Sequence, residues 1–353
     1  MKSFNVTAFG EPLQAMERPT PAPQGKEVLL KVRAAGVCHS DLHLSEGGYD
    51  LGQGKKLNVT DRGVKLPLTM GHEVAGEVAA LGPDASGVNV GDVRLVFPWI
   101  GCGQCPACKR GTENLCRAPN CIGIHRPGGY ADYVIVPDAK YLVEIAPLTP
   151  EQAAPFACSG LTAYSALKKV GPLLQQAPVA IIGVGGVGLM AVTLLKALGG
   201  AGAIAVDISE TKREAALKAG AIATVDGKAP DAVAQLAASA PDGLLAVIDF
   251  VGSPQTAELG INAMARGGHY IAVGLYGGEL HYPMPFFPMR ALTIQGSYTG
   301  SLGELQELMS LARNGAIPDF PVHKHGMSEV NDVLASLRAG NIVGRSVVVP
   351  EMA

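Results

Sequence analysis

The period of apolar and polar positions changes near residue 149. Before it, short strand-like runs stand at residues 2–9, 27–33, 74–81, 94–97, 129–137 and 141–145, with clear period-two alternation at 27–33 and 74–81, and most are bounded by Gly or Pro. Such runs predict strands with one face in a core and one in water, so this part reads as a β-rich unit. Pro19, Pro21 and Pro23 mark a turn, and 46–66 is polar and Gly-rich without a period, which predicts a long loop.

From Thr149 the spacing is helical over 150–157 and 161–169. Strands and helices then alternate: strands at 177–182, 203–206, 223–225, 245–250 and 269–273, helices at 189–198, 212–219, 231–238 and 254–264. This alternation predicts a parallel sheet with right-handed crossovers. A last strand is expected at 289–296, amphipathic helices at 302–314 and 329–339, and a closing strand at 345–349 that rejoins the first unit. No internal repeat or low-complexity segment interrupts the pattern.

A length of 353 residues exceeds one compact core and implies two domains. With 48% hydrophobic and 17% charged residues the chain is globular rather than disordered. A net charge of -3 and no Lys/Arg run argue against a nucleic-acid or anionic-membrane partner. Met1–Thr7 lacks the apolar core of a signal peptide, and no apolar run is long enough to span a bilayer. A cytoplasmic location is therefore expected, where the seven cysteines stay reduced and metal or catalysis is a better default than disulfides.

Three segments carry candidate chemistry in the β-rich unit and at its end. Gly36-Val37-Cys38-His39-Ser40-Asp41-Leu42-His43 packs a thiol, a hydroxyl, a carboxylate and imidazoles into one stretch, and Gly71-His72-Glu73 and Cys158-Ser159-Gly160 answer it. Cys38, His72 and Cys158 have the composition of a two-sulfur, one-nitrogen zinc site with an open fourth position. Taken alone, they read equally well as buried thiols and a structural histidine. Cys102, Cys105, Cys108 and Cys116 form C-x2-C-x2-C-x7-C, a spacing that returns four sulfurs to one centre. That pattern predicts a closed, structural zinc lobe near 99–118; the last spacing does not fit a ferredoxin-type cluster. Cys121 is left over and is expected simply to pack.

Gly183-Val184-Gly185-Gly186-Val187-Gly188 stands between an apolar strand and a helix, the setting in which G-x-G-x-x-G binds a dinucleotide pyrophosphate at a helix N-terminus. Asp207, at the end of the next strand and nineteen residues after Gly188, suits the ribose hydroxyls of NAD, although it would also serve as a helix cap. Lys212 and Arg213 nearby leave room for NADP; NAD is the expectation.

On these motifs, in this order, the chain resembles the zinc-dependent medium-chain alcohol dehydrogenases over nearly its whole length, with Thr162 and Gly344-Arg345 as further matches. The resemblance implies an α/β protein: a GroES-like β-rich catalytic domain (1–154 and 295–353) and a doubly wound Rossmann domain (155–294). It implies catalytic zinc on Cys38, His72 and Cys158 with Glu73 beside the metal, Asp41 orienting the imidazole, and a structural zinc on the four-cysteine lobe. Ser40 and His43 resemble the proton relay. His39 and Arg345 match pyrophosphate contacts; Thr162, Val187 and Val273, with Lys212, complete the expected cofactor site. Trp99 resembles a substrate-pocket aromatic or is a packing residue. A homodimer or homotetramer acting on a small alcohol or carbonyl compound is implied, with a polyol dehydrogenase or aldehyde reductase as the alternative. A nucleotide-binding protein without turnover and a zinc-ribbon interaction module fit less well, because the ligand set and the Ser40/His43 pair are complete. One departure stands out: thirty-three residues separate Cys38 from His72, more than the family pattern, and the extra segment 49–63 either reshapes the pocket or a subunit contact or is a surface loop.

Overall fold

The computed structural model describes residues 1–351. Two large sheets divide the chain. The first runs in the order Leu142–Glu144, Val93–Val96, Glu73–Leu81, Val28–Val37, Arg345–Val349, Val322–Gly326, with Tyr133–Val136 also paired to Val28–Val37. It is antiparallel except for the last pair. Its members come from both ends of the chain, so the C-terminal segment rejoins the β-rich domain as expected. A small sheet of Gln14–Glu17, Lys2–Val6 and Leu68–Thr69 lies beside it.

The second sheet is parallel throughout, in the order Ala223–Asp226, Ala203–Asp207, Val179–Ile182, Ala246–Asp249, His269–Ala272, Thr293–Gly296. Its inner strands are apolar on both faces because helices cover both. The sixth strand ends at Gly296, so the sheet reaches slightly past the expected boundary at 294. One apolar core runs unbroken from the first domain through the Ser159–Val170 helix to one face of this sheet, and a second, smaller core fills the other face.

Side-chain caps start several helices: Thr149 with Gln152, Ser253 with Thr256, and Ser301 with Glu304 each satisfy end N–H groups reciprocally. Four expectations change. Residues 150–157 form a helical turn, Pro150–Ala153, followed by a 3-10 turn, Ala154–Ala157, because Pro155 has no N–H to continue the ladder. The strand expected at 289–296 shortens to Thr293–Gly296 behind a short helix, Phe286–Arg290. Residues 39–46, given no element from sequence, are a helix closed by Gly47 in the left-handed region (φ 83). The long loop 46–66 is not a loop: it holds a hairpin, Gly48–Gly52 with Lys55–Asn58, and a 3-10 turn, Val59–Arg62.

Candidate active site

The central strand Val28–Val37 delivers the first ligand. Its last residues pair with Glu73 on one side (Gly36 opposite Glu73) and with the C-terminal strand on the other (Val37 opposite Ser346). Cys38, Glu73 and Arg345 therefore meet at one end of the sheet. Gly36 makes this possible, since a Cβ there would lie 1.9 Å from a Glu73 carboxylate oxygen. The chain then turns into the helix His39–Glu46, and Asp41 ties the start of that helix by accepting the Cys38 N–H at 3.0 Å.

Cys38, His72 and Cys158 converge, all buried, with their ligand atoms within 4.8 Å of one another. The two sulfurs are 3.9 Å apart. A disulfide needs about 2.05 Å, whereas two thiolates on one tetrahedral zinc at about 2.3 Å sit roughly 3.8 Å apart. His72 turns Nδ1 to Asp41 Oδ1 at 3.2 Å, an ion-pair contact rather than an aligned hydrogen bond, so both buried ring nitrogens lack a hydrogen-bond partner and Nε2 is the one left to face a metal. An unpartnered imidazole nitrogen beside two thiols is a two-sulfur, one-nitrogen donor set, so the residues fit zinc.

Electrostatics point the same way. Hydrogen bonding from Cys158 lowers the Cys38 pKa, helped by His72, and raises that of Cys158 in return. Burial disfavours charge on His72, but Asp41 and Cys38 outweigh it and raise its pKa. Asp41 is held in turn: the Tyr130 hydroxyl donates to Oδ2 at 2.8 Å. Tyr130 was not singled out from sequence, and no local signal links it to Asp41, 89 positions away. Trp99 is also in place. Its Nε1 donates to Ala157 O at 3.1 Å and its ring lies 5.4 Å from that of His72.

Glu73 stands outside the three-atom cluster. One oxygen accepts the Ser159 N–H at 3.0 Å and the other accepts from Arg345 Nη2 at 2.5 Å. Burial pushes the Glu73 pKa up to about 7, against the pull of the Arg345 charge. Both partners are buried, and Arg345 Nε has no partner of its own.

Cys102, Cys105, Cys108 and Cys116 form the second cluster, with Cys105 Sγ 3.5 Å from Cys108 Sγ and 3.7 Å from Cys116 Sγ. These spacings again suit one tetrahedral ion and exclude disulfides, and every cysteine is free. Cys121 is buried apart from them, its pKa pushed up to about 12 by burial.

A cleft between the domains is lined by Val37, His39 and Arg345 on one side and Gly185, Gly186, Val187 and Lys212 on the other. Gly183 and Gly188 shape its turn from behind: a Cβ on Gly188 would sit 2.0 Å from Gly183 O, so the third glycine lets helix and strand close up. Asp207, Thr162 and Val273 are not among these walls. Thr162 lies in the first turn of the Ser159–Val170 helix, and Val273 follows the fifth strand of the parallel sheet, its N–H bonded to Asp249 O at 2.9 Å.

A parallel dinucleotide-type sheet joined to a β-domain with two soft-ligand clusters defines a metal-dependent dehydrogenase. Comparison with known proteins agrees. Residues 24–147 match the family "Alcohol dehydrogenase GroES-like domain" and residues 186–314 match "Zinc-binding dehydrogenase". The chain is 38% identical over 352 residues to the NAD-dependent alcohol dehydrogenase of Saccharolobus solfataricus, covering 99% of this chain and 100% of that one. It is 37% identical over 351 residues to the protein of the same name from Sulfurisphaera tokodaii, with the same coverage. The crystal structure of the alcohol dehydrogenase from Aeropyrum pernix superposes with a TM-score of 0.89 at 33% identity, over 99% of this chain and all of that one. The chain belongs to the zinc-dependent medium-chain alcohol dehydrogenase family.

Proposed function

We propose that the protein is a zinc-dependent, NAD-linked alcohol dehydrogenase that reversibly converts a primary or secondary alcohol to the aldehyde or ketone. The observation that carries this reading is the buried Cys38–His72–Cys158 set with its orphaned Nε2, one residue along the chain from the walls of the glycine-motif cleft. When bound, zinc supplies a Lewis acid that acidifies the alcohol and the nicotinamide supplies the hydride acceptor. Cys38, His72 and Cys158 would hold the first; the cleft residues would hold the second, with Thr162 and Val273, which lie outside the cleft walls, as further candidate contacts to the nicotinamide. The four-cysteine lobe holds a second, structural zinc.

The chain's own residues handle the proton. Ser40 Oγ takes it from the alcohol hydroxyl and passes its own on. His43, three residues further along the same helix and so on the same face, releases it to water. Burial and the nearby His39 lower the His43 pKa below 6.5. A lowered pKa keeps the imidazole a neutral base above that value, so the acid limb of kcat/KM for oxidation is expected below pH 6.5. His43→Ala should slow oxidation most at low pH, with partial rescue by a basic buffer; an unchanged pH profile would remove His43 from the relay.

The function is tested by absorbance at the NADH band with zinc-replete protein, a panel of primary, secondary, cyclic and aromatic alcohols, and NAD or NADP in turn. Turnover with NAD on a subset is expected; silence across the panel with zinc bound would sink the reading. Asp207 supports NAD. Its oxygens accept from Val184 N at 3.0 Å and Ser209 N at 2.9 Å, which fixes the carboxylate and leaves lone pairs for ribose hydroxyls. Arg213 is drawn instead to Asp207 O at 2.7 Å and Asp226 at 3.6 Å. Hydrogen bonds to a charged group contribute about 1.5–3 kcal/mol, so Asp207→Ser should raise the KM for NAD by roughly 10- to 100-fold and narrow the gap to NADP. An unaltered ratio of the two cofactors would refute the assignment.

A homo-oligomer, dimer or tetramer, is supported by an uncovered edge. Thr293–Gly296 has a neighbour on one side only, and in the stretch leading into it Tyr276, Met284 and Met289 are exposed (73%, 73% and 64%). Such an edge normally gains a covering partner, and a second copy of the chain supplies one. Light scattering should give a multiple of 36.4 kDa, and Met289→Glu should shift it toward one chain; a wild-type monomer would end this proposal. Among the described residues no helix is long and apolar enough to cross a membrane. Clustered thiols that must stay reduced to hold metal support a cytoplasmic location, which recovery in a periplasmic fraction would contradict.

A further inference from the structure

The segment 49–63, which the sequence leaves as either a pocket element or a surface loop, touches both domains. At its hairpin tip, Gln53 Nε2 donates to Glu279 in the dinucleotide domain, and Gly277 backs directly onto Asp50. At its base, the Tyr49 ring lies 4.9 Å from the ring of His43. Arg62 closes the segment. Its guanidinium sits 5.8 Å from the centre of the Tyr49 ring, and Nη2 comes within 3.5 Å of the Tyr298 hydroxyl. No carboxylate pairs with Arg62 among the described residues.

Tyr298 arrives from another part of the chain and is fixed separately. Asn114 of the four-cysteine lobe donates to its carbonyl at 2.8 Å, and its ring meets Trp99 edge-on at 6.1 Å. Trp99 in turn lies against His72, the two rings tilted by 58° with centres 5.4 Å apart. Exposure falls along this row, from exposed Arg62 and Tyr298 (39%) to Trp99 (2%) and His72 (0%). Arg62 and Tyr298 thus stand between bulk water and the metal-ligand cluster.

We propose that Arg62 and Tyr298 form a gate on the substrate side of the active site, built by the insertion, and that this gate limits the length of the alcohol admitted. The proposal rests on the alcohol dehydrogenase reading. A cation held by one ring face and one long polar contact makes a soft closure, unlike the buried Glu73–Arg345 pair. A short alcohol would pass this closure, whereas each further methylene of a longer chain would press against the guanidinium. Tyr49 keeps the gate in register with His43, and the Gln53–Glu279 contact ties it to the domain that carries the cofactor.

The chain has a single tryptophan, Trp99, directly behind the gate, so its fluorescence reports the gate without any turnover. In Arg62→Ala, acrylamide quenching of Trp99 is expected to rise, and the ratio of kcat/KM for hexanol over ethanol to rise roughly tenfold. Lys55→Ala, on the same hairpin but away from the gate, should leave both at wild-type values. Unchanged quenching in Arg62→Ala would overturn the gate whatever the activity. Increased quenching with an unchanged chain-length ratio would overturn its role in specificity. Wild-type protein that oxidises no alcohol yet shows the quenching difference would overturn the dehydrogenase reading and with it the alcohol-length role, leaving only Arg62 and Tyr298 as a cover over Trp99.

Discussion

Cys38→Ala and His72→Ala are each expected to lower alcohol oxidation by at least roughly a thousandfold, since a Lewis acid contributes several kcal/mol and each 1.36 kcal/mol is tenfold in rate. The proposed site has three candidate protein ligands and no spare: Glu73 has both oxygens committed to Ser159 and Arg345 and could step in only by breaking a buried ion pair. Metal analysis of the wild type should find two zinc ions per chain, and each variant should hold one, in the four-cysteine lobe. Neither substitution touches the glycine turn or Asp207, so NADH binding followed by fluorescence should persist in both. A variant that keeps its second zinc and its activity would refute the ligand set. One that loses NADH binding as well would point to misfolding instead, and His72→Gln, which keeps a polar group toward Asp41, would separate the two.

Arg345→Met is expected to be the most destabilising single change at the site. It leaves the Glu73 carboxylate fully buried without its cation, a loss of about 3–5 kcal/mol for a pair of this kind, or roughly 5 °C in melting temperature for a chain of this size. The deficit should depend on pH in a definite direction. Burial already raises the Glu73 pKa to about 7, and removing Arg345 takes away a charge that lowers it. A carboxyl that binds its proton more tightly folded than unfolded favours the fold at low pH, and that benefit is lost as pH rises through the folded value. The Arg345→Met deficit should therefore be larger at pH 8 than at pH 5.5. Adding Glu73→Gln should recover much of the stability, because two neutral groups replace a stranded charge. NADH affinity should fall in both variants, since Arg345 also borders the glycine-motif cleft proposed to take the cofactor. Equal melting temperatures for wild type and Arg345→Met at pH 8 would show that the pair holds nothing together.

What the sequence made legible follows from where the signal lies. The glycine turn, the four-cysteine lobe and the strand Arg345–Val349 are written in consecutive residues, and each is found where its pattern places it. The hairpin 48–58 gave no period because most of its residues are exposed on both faces. The helix His39–Glu46 was hidden for a different reason. It turns Asp41 and Ser45 inward alongside Leu42 and Leu44, so functional polar groups blur the apolar stripe that would mark it. Val322–Gly326 is a strand whose residues are mostly polar and exposed or half-buried, and it too escaped notice. Pairings such as Tyr130 with Asp41 or Arg345 with Glu73 join distant positions and have no local trace at all.

The two metal-ligand clusters differ in one further respect. The lobe draws its four sulfurs from residues 102–116, while Cys38 and Cys158 are separated by 120 positions. Closing a short loop costs less chain entropy than closing a long one and happens sooner. On the ribosome, the lobe can capture an ion as soon as its own segment emerges, whereas the catalytic set exists only after the first domain and the start of the second have met. If both clusters bind zinc, chain topology would let the lobe load first. Zinc offered during synthesis would then meet the lobe first and the catalytic set only once the domains have closed.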